Sequence, residues 1–350
     1  VSQNGEKKNM EMELQTFVQK DERVVRSIEK LPGDASTRSY YRIETDRQDL
    51  VAMSMEPFDA QGASIPFLAV QRHLLRCGVD VPRVIDFDPA QGLILLEDLG
   101  DITLLRRLHE VESEAEERKY FEKAIDALVK MHVRSGPTKA LNEEERASVE
   151  GFKLKFDVEK LMWEVNFTME HFFFKFLQRK ISEADLKVIQ DGFTKICTEL
   201  DSIPTVFTHR DYHSRNLMIT GEGKNERFVL IDFQDARMGP PQYDLASLLR
   251  DSYYQLEEKQ IDDLVDYYLM RMKEEGGEIQ DKAMFLRQFD LMSVQRNFKA
   301  IGSFASFMNR RGNPAYLKFI GNTFENIRRN LKKYPEFKKL REVLYYHYYF

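Results

Sequence analysis

Two short runs constrain this chain more than anything else in it: HRDYHSRN from His209 to Asn216, and VLIDFQDA from Val229 to Ala236. The first puts an Asp two residues after a His and an Asn five residues beyond that Asp. The second places an Asp at the end of an apolar run that reads as a strand. Phosphoryl transfer asks for this set of groups. One carboxylate accepts the proton of the attacking hydroxyl. An amide oxygen and a second carboxylate hold the ions that neutralise phosphate charge. The spacing assigns Asp211 as the base and Asn216 and Asp232 as ligands of Mg2+, with ATP as the donor. Either motif alone is an ordinary loop or strand sequence. Both together, in this order and so close, point to the chemistry.

The rest of the composition narrows the class. A chain of 350 residues is too long for one simple core, so two lobes are expected, and 42% hydrophobic residues suffice to fill both. The net charge of -6 and the lack of a basic stripe argue against a nucleic-acid binder. Cys77 and Cys197 lie far apart in segments that read as helices, which argues against a disulfide framework and for a reducing cytoplasm. The stretch VSQNGEKKNMEMEL is polar and lacks an apolar signal core, and no run approaches the roughly 18 apolar residues of a membrane span. The expectation is a soluble cytoplasmic protein acting on a small molecule, with no membrane and no obligate protein partner.

Periodicity supplies the order of elements. Residues 1 to 9 read as disordered. Leu14, Phe17, Val18, Val24, Val25 and Ile28 sit at helical spacing and predict a helix from Glu11 to Lys30, broken by Pro32-Gly33. Ser39–Thr45 and Asp49–Met55 read as paired strands. Ile65–Cys77 reads as a helix with Gly78 as its cap, and Val84–Phe87 and Leu93–Glu97 as a second strand pair. This is the order of a kinase amino-terminal lobe. Beyond Gly100 the pattern turns helical: Ala124–His132, Phe156–Phe176 and Glu183–Leu200, with later helices at Asp244, Ile261 and Met284. Val229–Phe233 is the strand that interrupts them. The aromatic end, YYHYYF, reads as a packed structural cap.

The acceptor must be small. A peptide kinase needs a long platform between its metal-binding Asp and the next large helix. Here only FQDARMGPPQY separates Asp232 from the helix opening at Asp244, and Gln234 stands where a protein kinase has the Gly of DFG. Asp244 is expected to be buried, capping N–H groups of its own helix and of the catalytic loop. His209 is expected to be a structural link in that loop, and His213 a residue within reach of the substrate.

HRDYHSRNLM, VLIDFQDARMGPPQYDLASLL and the lobe order resemble the aminoglycoside phosphotransferase and choline kinase superfamily. GDASTRSYYR at Gly33 to Arg42, LLEDLGD at Leu95 to Asp101 and QRNFKAIGSFASFMNRRGNPAYL at Gln295 to Leu317 resemble one branch of it, the bacterial cell-wall sugar kinases that act on the anomeric hydroxyl of N-acetylmuramate and N-acetylglucosamine. The resemblance implies an α+β, two-lobed protein-kinase-like fold: a small, mainly β nucleotide-binding lobe over 1–98 and a larger helical lobe over 99–350. It implies ATP, Mg2+ and an amino-sugar acceptor, with aminoglycosides, choline and homoserine as rival acceptors and an inert nucleotide-binding scaffold as the non-enzymatic rival.

The sequence departs from the general kinase pattern in one place. The strand Val51-Ala52-Met53-Ser54 carries no Lys, Ser54 standing where the Lys would be, and the following helix IPFLAVQRHLLRC has no Glu. The two losses agree, since a buried Glu without its Lys is an unpaired charge. Arg38 is the first candidate to replace that cation at the phosphates, ahead of Arg72 and Arg76. Gly33, Ser36, Thr37 and Arg38 form the expected phosphate loop, a set of donors without the usual glycine count. Ala52 is expected against the adenine, with Met218 and Ile231 on its other face, and the backbone of Glu97, Asp98 and Leu99 at its edge. For the acceptor, Glu164 beside Trp163 offers a carboxylate and an aromatic face. Arg296 and Lys299, one helical turn apart, offer charge for a lactyl carboxylate or an acetamido oxygen.

Overall fold

The structure is a computed structural model that describes residues 3–19, 22–32, 38–59, 65–136, 147–278 and 281–350, with backbone alone for 3–8. In chain order it begins with α1 (Gln3–Gln19), β1 (Val25–Lys30), β2 (Ser39–Thr45), β3 (Leu50–Ser54), α2 (Pro66–Arg76), β4 (Val84–Asp88) and β5 (Leu93–Glu97). The strands form one antiparallel sheet in the order β1-β2-β3-β5-β4. Two expectations fail here. Residues 3–9 begin a helix, and the second half of the predicted helix 11–30 is the strand β1. The cause is a bulge between Val25 and Ser27, which lets Val25 and Ile28, three residues apart, both pack toward α1. An extra residue in a strand thus imitates helical spacing.

The two faces of the sheet do different work. Tyr41, Ile43, Leu50, Ala52, Leu93 and Leu95 pack under Leu14, Phe17 and Val18 of α1. Met53, Ile94 and Leu96 point the other way and join the large core with α2. The α2 helix ends as expected on Gly78, whose φ of +74° suits a residue without Cβ. Its N–H reaches Leu75 O and that of Val79 reaches Leu74 O, both at 3.0 Å, closing the helix end.

Then come α3 (Leu104–Glu110), α4 (Glu114–Arg134) and α5 (Val158–Thr168), which runs on as a π-helical stretch over Met169–Phe176, and α6 (Glu183–Asp201). The short strands β6 (Val206–Thr208), β7 (Leu217–Thr220), β8 (Arg227–Leu230) and β9 (Arg237–Gly239) make two antiparallel pairs, β6 with β9 and β7 with β8. The chain finishes with α7 (Gln242–Leu249), α8 (Glu258–Glu274), α9 (Lys282–Arg311), α10 (Ile320–Lys332) and α11 (Lys338–Tyr349). The central α9 is apolar or small along most of its length, and buries most residues between Phe285 and Phe304 against α5, α7 and α10. The aromatic tail is packed only in part: His347 is buried and Tyr348 stacks on Phe324 at 4.1 Å, while Tyr346, Tyr349 and Phe350 are exposed. Leu340 and Leu344 are buried, and Arg179 donates to the carbonyls of His347, Tyr348 and Phe350 at 2.9, 3.2 and 2.8 Å. Both cysteines are buried and free. Among the described residues no helix is long and apolar enough to cross a membrane.

Candidate active site

The loop from His209 to Asn216 joins β6 to β7, and a buried carboxylate holds its start. Asp244, in the first turn of α7, accepts from the backbone N–H of His209 at 2.7 Å and of Arg210 at 2.9 Å. It caps the loop as expected. It does not cap its own helix, because the helix opens two residues earlier, at Gln242. The His209 ring is a link. Its Nδ1 faces the N–H of Asp211 at 3.3 Å, which leaves Nε2 to donate to Ile231 O at 2.9 Å. So the loop is stapled to the segment that carries Asp232. Arg210 and Asp232 both adopt left-handed backbone, φ +82° and +63°. Such strain in non-glycine residues persists where the surroundings enforce it, and clusters at working sites. The expected strand ends at Leu230, so Asp232 stands two residues beyond it, in a turn.

Asp211 faces the cleft with three cations around it. Lys299 Nζ lies 2.9 Å from its Oδ1, Arg296 donates to the same oxygen at 3.4 Å, and Arg210 is 3.9 Å from Oδ2. Burial alone would raise this carboxyl, but Lys299, Arg210 and Arg296 hold it well below the usual range. It is ionised at any ordinary pH. Asn216 donates its side-chain N–H to Asp211 O at 3.0 Å, which turns the amide oxygen to the other side. The Asp232 carboxyl is pushed up by burial and by the nearby Asp211 charge, although Gln234 donates to its Oδ1 at 2.7 Å. A buried carboxylate with too little positive charge around it, beside an amide oxygen, is a donor set that suits a hard divalent cation. Among the described residues no group of three or more His, Cys, Asp or Glu could hold a metal. Two protein oxygens fit Mg2+, which fills its remaining positions with phosphate and water.

A cleft of about 740 Å³ runs past these groups, between the sheet and the helical half. Val51 and Leu96 line it from the sheet, Met218 and Ile231 from the helical side, with Glu97, Asp98 and Leu99 at its edge. Asp98 is pinned by Arg42 Nε at 2.6 Å and by the N–H of Gly100 at 2.8 Å. The Glu97 N–H is spent on Arg83 O at 3.0 Å. Ala52 is a correction. It is fully buried beneath α1, and its neighbour Val51 faces the cleft. Strand residues alternate faces, so a shift of one exchanges the whole set. The same shift moves the missing-lysine position from Ser54 to Met53, whose side chain shares the face of Val51. Met53 is apolar and buried, so the cation is absent on either reading.

Arg38 lines the cleft and hydrogen-bonds to Tyr40, whose phenol also feels the charge of Asp232. Arg72 and Arg76 are exposed and are not among the cleft residues. Gly33, Ser36 and Thr37 lie outside the described residues.

The other half of the cleft is walled by α9 and two aromatic segments. His213, Arg296 and Lys299 line it together with Arg215, Tyr253, Phe304 and Tyr316. The His213 ring packs edge-on to Tyr253 at 5.3 Å, and burial lowers its pKa to about 3, so it is neutral. Glu164 is a second correction. It is 1% exposed, does not line the cleft, and accepts from Gln295 Nε2 at 3.1 Å inside the core. Trp163 beside it is 56% exposed on the outer face. Adjacent helix residues differ by about 100° in direction, so one faced in and the other out, and neither faced the cleft. Arg210, Arg215, Tyr253 and Tyr316 went unassigned from sequence. Arg210 and Arg215 lie within the catalytic run itself, which was a signal. Tyr316 lies within the run Gln295 to Leu317 that carries the family resemblance, which was a signal, whereas Tyr253 had none, for it reaches the cleft from a loop far from the others in the chain.

A sheet lobe and a helical lobe on either side of such a cleft, with Asp211, Asn216 and Asp232 gathered along it, describe a kinase-like phosphotransferase. Residues 27–279 match the phosphotransferase enzyme family, and the chain belongs to it. It is 32% identical over 314 residues to the N-acetylmuramate/N-acetylglucosamine kinase of Neisseria meningitidis serogroup B, covering 89% of this chain and 88% of that one. It is 31% identical over 316 residues to the protein of the same name from Pseudomonas aeruginosa, covering 89% and 86%. Among solved structures, the choline kinase of Streptococcus pneumoniae shares the fold with a TM-score of 0.59 at 15% identity, over 91% of this chain and 99% of that one. An ADP-bound aminoglycoside phosphotransferase does so with 0.58 at 16%, over 90% and 97%. The protein is a small-molecule kinase.

Proposed function

We propose that this enzyme moves the γ-phosphate of ATP, with Mg2+, to the anomeric hydroxyl of an amino sugar of the N-acetylmuramate/N-acetylglucosamine type. The relatives of that name, similar over nearly the whole chain, support the substrate class. The observation that carries the choice among acceptors is the charge of the helical half of the cleft. Lys299, Arg296 and Arg215 line it. Its carboxylates already have partners: Asp251 accepts from the Ser214 N–H at 3.0 Å, and Asp235 pairs with Arg210 at 3.1 Å. A polycationic aminoglycoside needs carboxylates to meet it, and choline needs an aromatic cage free of competing cations. A neutral or anionic sugar needs neither.

In this reading Asp211, held as a carboxylate, orients the acceptor hydroxyl and takes its proton as the bond to phosphorus forms. The transition state is loose, so orientation matters more than strong basicity. Lys299 and Arg296 stay beside Asp211 and counter the negative charge that gathers there. Arg38 grips phosphate oxygens in place of the absent lysine. Asn216 and Asp232 would hold Mg2+, which when bound neutralises part of the triphosphate. The nucleotide would lie between Val51 and Leu96 on one side and Met218 and Ile231 on the other. The lobes divide after Asp98. The test is ATP consumption against N-acetylmuramate, N-acetylglucosamine, aminoglycosides, choline and homoserine, with the phosphorylated position read by NMR. Turnover of an amino sugar with phosphate on its anomeric oxygen is expected. Turnover confined to choline, homoserine or an aminoglycoside sinks the proposal.

A further inference from the structure

Gln234 stands two residues after Asp232, where a protein kinase carries a glycine. Its side chain folds back on that carboxylate, and its Nε2 donates to Asp232 Oδ1 at 2.7 Å. The backbone that carries it is fixed on both sides. The N–H of Ala236 closes a turn on Phe233 O at 3.0 Å. Phe233 is fully buried and stacks on Phe67 at 5.0 Å. Asp235, the next residue in the turn, pairs with Arg210 at 3.1 Å. A glycine in this place would leave both oxygens of Asp232 open. With Gln234 there, Oδ1 carries an amide donor. Among the described residues no side chain or backbone N–H donates to Oδ2.

This bears on which ion the site accepts. Mg2+ is small, demands octahedral geometry, and is held through one or two carboxylates together with phosphate and water. Ca2+ takes roughly six to eight oxygens and readily uses both oxygens of one carboxylate. An ion held by both oxygens of Asp232 must compete with the Gln234 N–H for Oδ1, and it meets the positive end of the amide dipole there. Contact through Oδ2 alone keeps the hydrogen bond. We infer that Gln234 is a positioning residue that holds Asp232 to one-oxygen coordination and so selects Mg2+ over Ca2+ in the nucleotide complex. Groups that orient a ligating carboxylate tune the metal as the ligands do. This rests on Asp232 and Asn216 as the ligands of the ion, and adds the residue that sets which ion they take.

Calorimetry on the intact protein tests it, with the non-hydrolysable ATP analogue adenylyl imidodiphosphate titrated in excess Mg2+ or in excess Ca2+. The wild type is expected to bind the Mg2+ complex more tightly. Gln234→Met keeps the length of the side chain and removes the donor. The ratio of Mg2+ to Ca2+ affinities is expected to fall about tenfold in it, the low end for a lost partner of a metal ligand. Gln234→Glu puts a second carboxylate in place of the donor and should lower the ratio at least as far. A merely structural role would weaken both complexes alike and leave the ratio where it was. A ratio unchanged in both variants, or a wild type that binds the two complexes equally, overturns the inference alone. A wild type that binds the analogue as well without any divalent ion overturns the assignment of Asp232 to the metal, and the inference with it.

Discussion

Asp211 is held as a carboxylate, with Lys299 and Arg296 at one oxygen and Arg210 near the other. Replacing it with Asn keeps the shape and removes both the charge and the proton acceptor. Asp211→Asn is expected to lower kcat by at least about a hundredfold while sparing nucleotide affinity, as steady-state kinetics and calorimetry would read. Near wild-type turnover would take Asp211 out of the mechanism. Arg38 tests the missing lysine. It lines the cleft near Tyr40 and Asp232, whereas Arg72 is exposed elsewhere on α2. Arg38→Ala should raise the KM for ATP and lower kcat, with Arg72→Ala silent. The reverse pattern would move the phosphate contact to the helix. Both residues were named from sequence alone, but only the structure separates them, because distance to the cleft is a property of the folded chain.

At the scale of elements, α9 decides how the helical half is built. It brings Arg296 and Lys299 to Asp211 on one side, and on the other it presses Gly302 against the end of α5. A Cβ at Gly302 would come within 2.3 Å of Thr168 Oγ1 and 2.7 Å of Thr168 Cα. Backbone cannot yield as a flexible side chain does. Thr168 is also tied to α9 by a hydrogen bond to Phe298 O at 2.8 Å. Gly302→Ala is therefore expected to cost about 1–3 kcal/mol of stability, read from denaturant midpoints. A loss under about 0.5 kcal/mol would show that the two helices separate without strain. Periodicity located α9 but could not reveal this contact. A glycine in a helix pattern carries no record of what approaches it. The sheet shows the opposite failure, where pattern was present and misleading: one bulge in β1 gave a strand the spacing of a helix.

For the whole molecule, buried histidines set an acid limit. His73 is wedged edge-on against Phe152 and Phe207 and burial lowers its pKa to about 4, while His213 is lowered to about 3 by burial, against the pull of Asp211. A folded-state pKa below the unfolded value of about 6.5 means that the unfolded chain takes up protons first. The stability held by these neutral rings is fully present above about pH 6.5 and is lost progressively as pH falls toward 4. Asp211 adds to the loss below about pH 3.9 for the same reason. Thermal midpoints are expected to drop across pH 6.5 to 4, and His73→Leu should flatten that slope. A slope unchanged by the substitution would mean that His73 is not protonated on unfolding in this range.

Short-range chemistry was what this sequence determined by itself. The loop from His209 to Asn216, the strand pairs of the sheet and the glycine that ends α2 all rest on neighbours within a few residues, and local spacing reports on them. Tertiary packing decided the rest. It chose Val51 over Ala52 for the cleft, because a strand's faces are named only by what lies above and below them. It turned Glu164 into the core and Trp163 out to solvent, because helix direction follows from what the helix packs on. It brought Arg215 between Tyr253 and Tyr316, residues 63 positions apart in the numbering, because an aromatic wall of this kind is assembled by the closing of loops whose ends no local pattern relates.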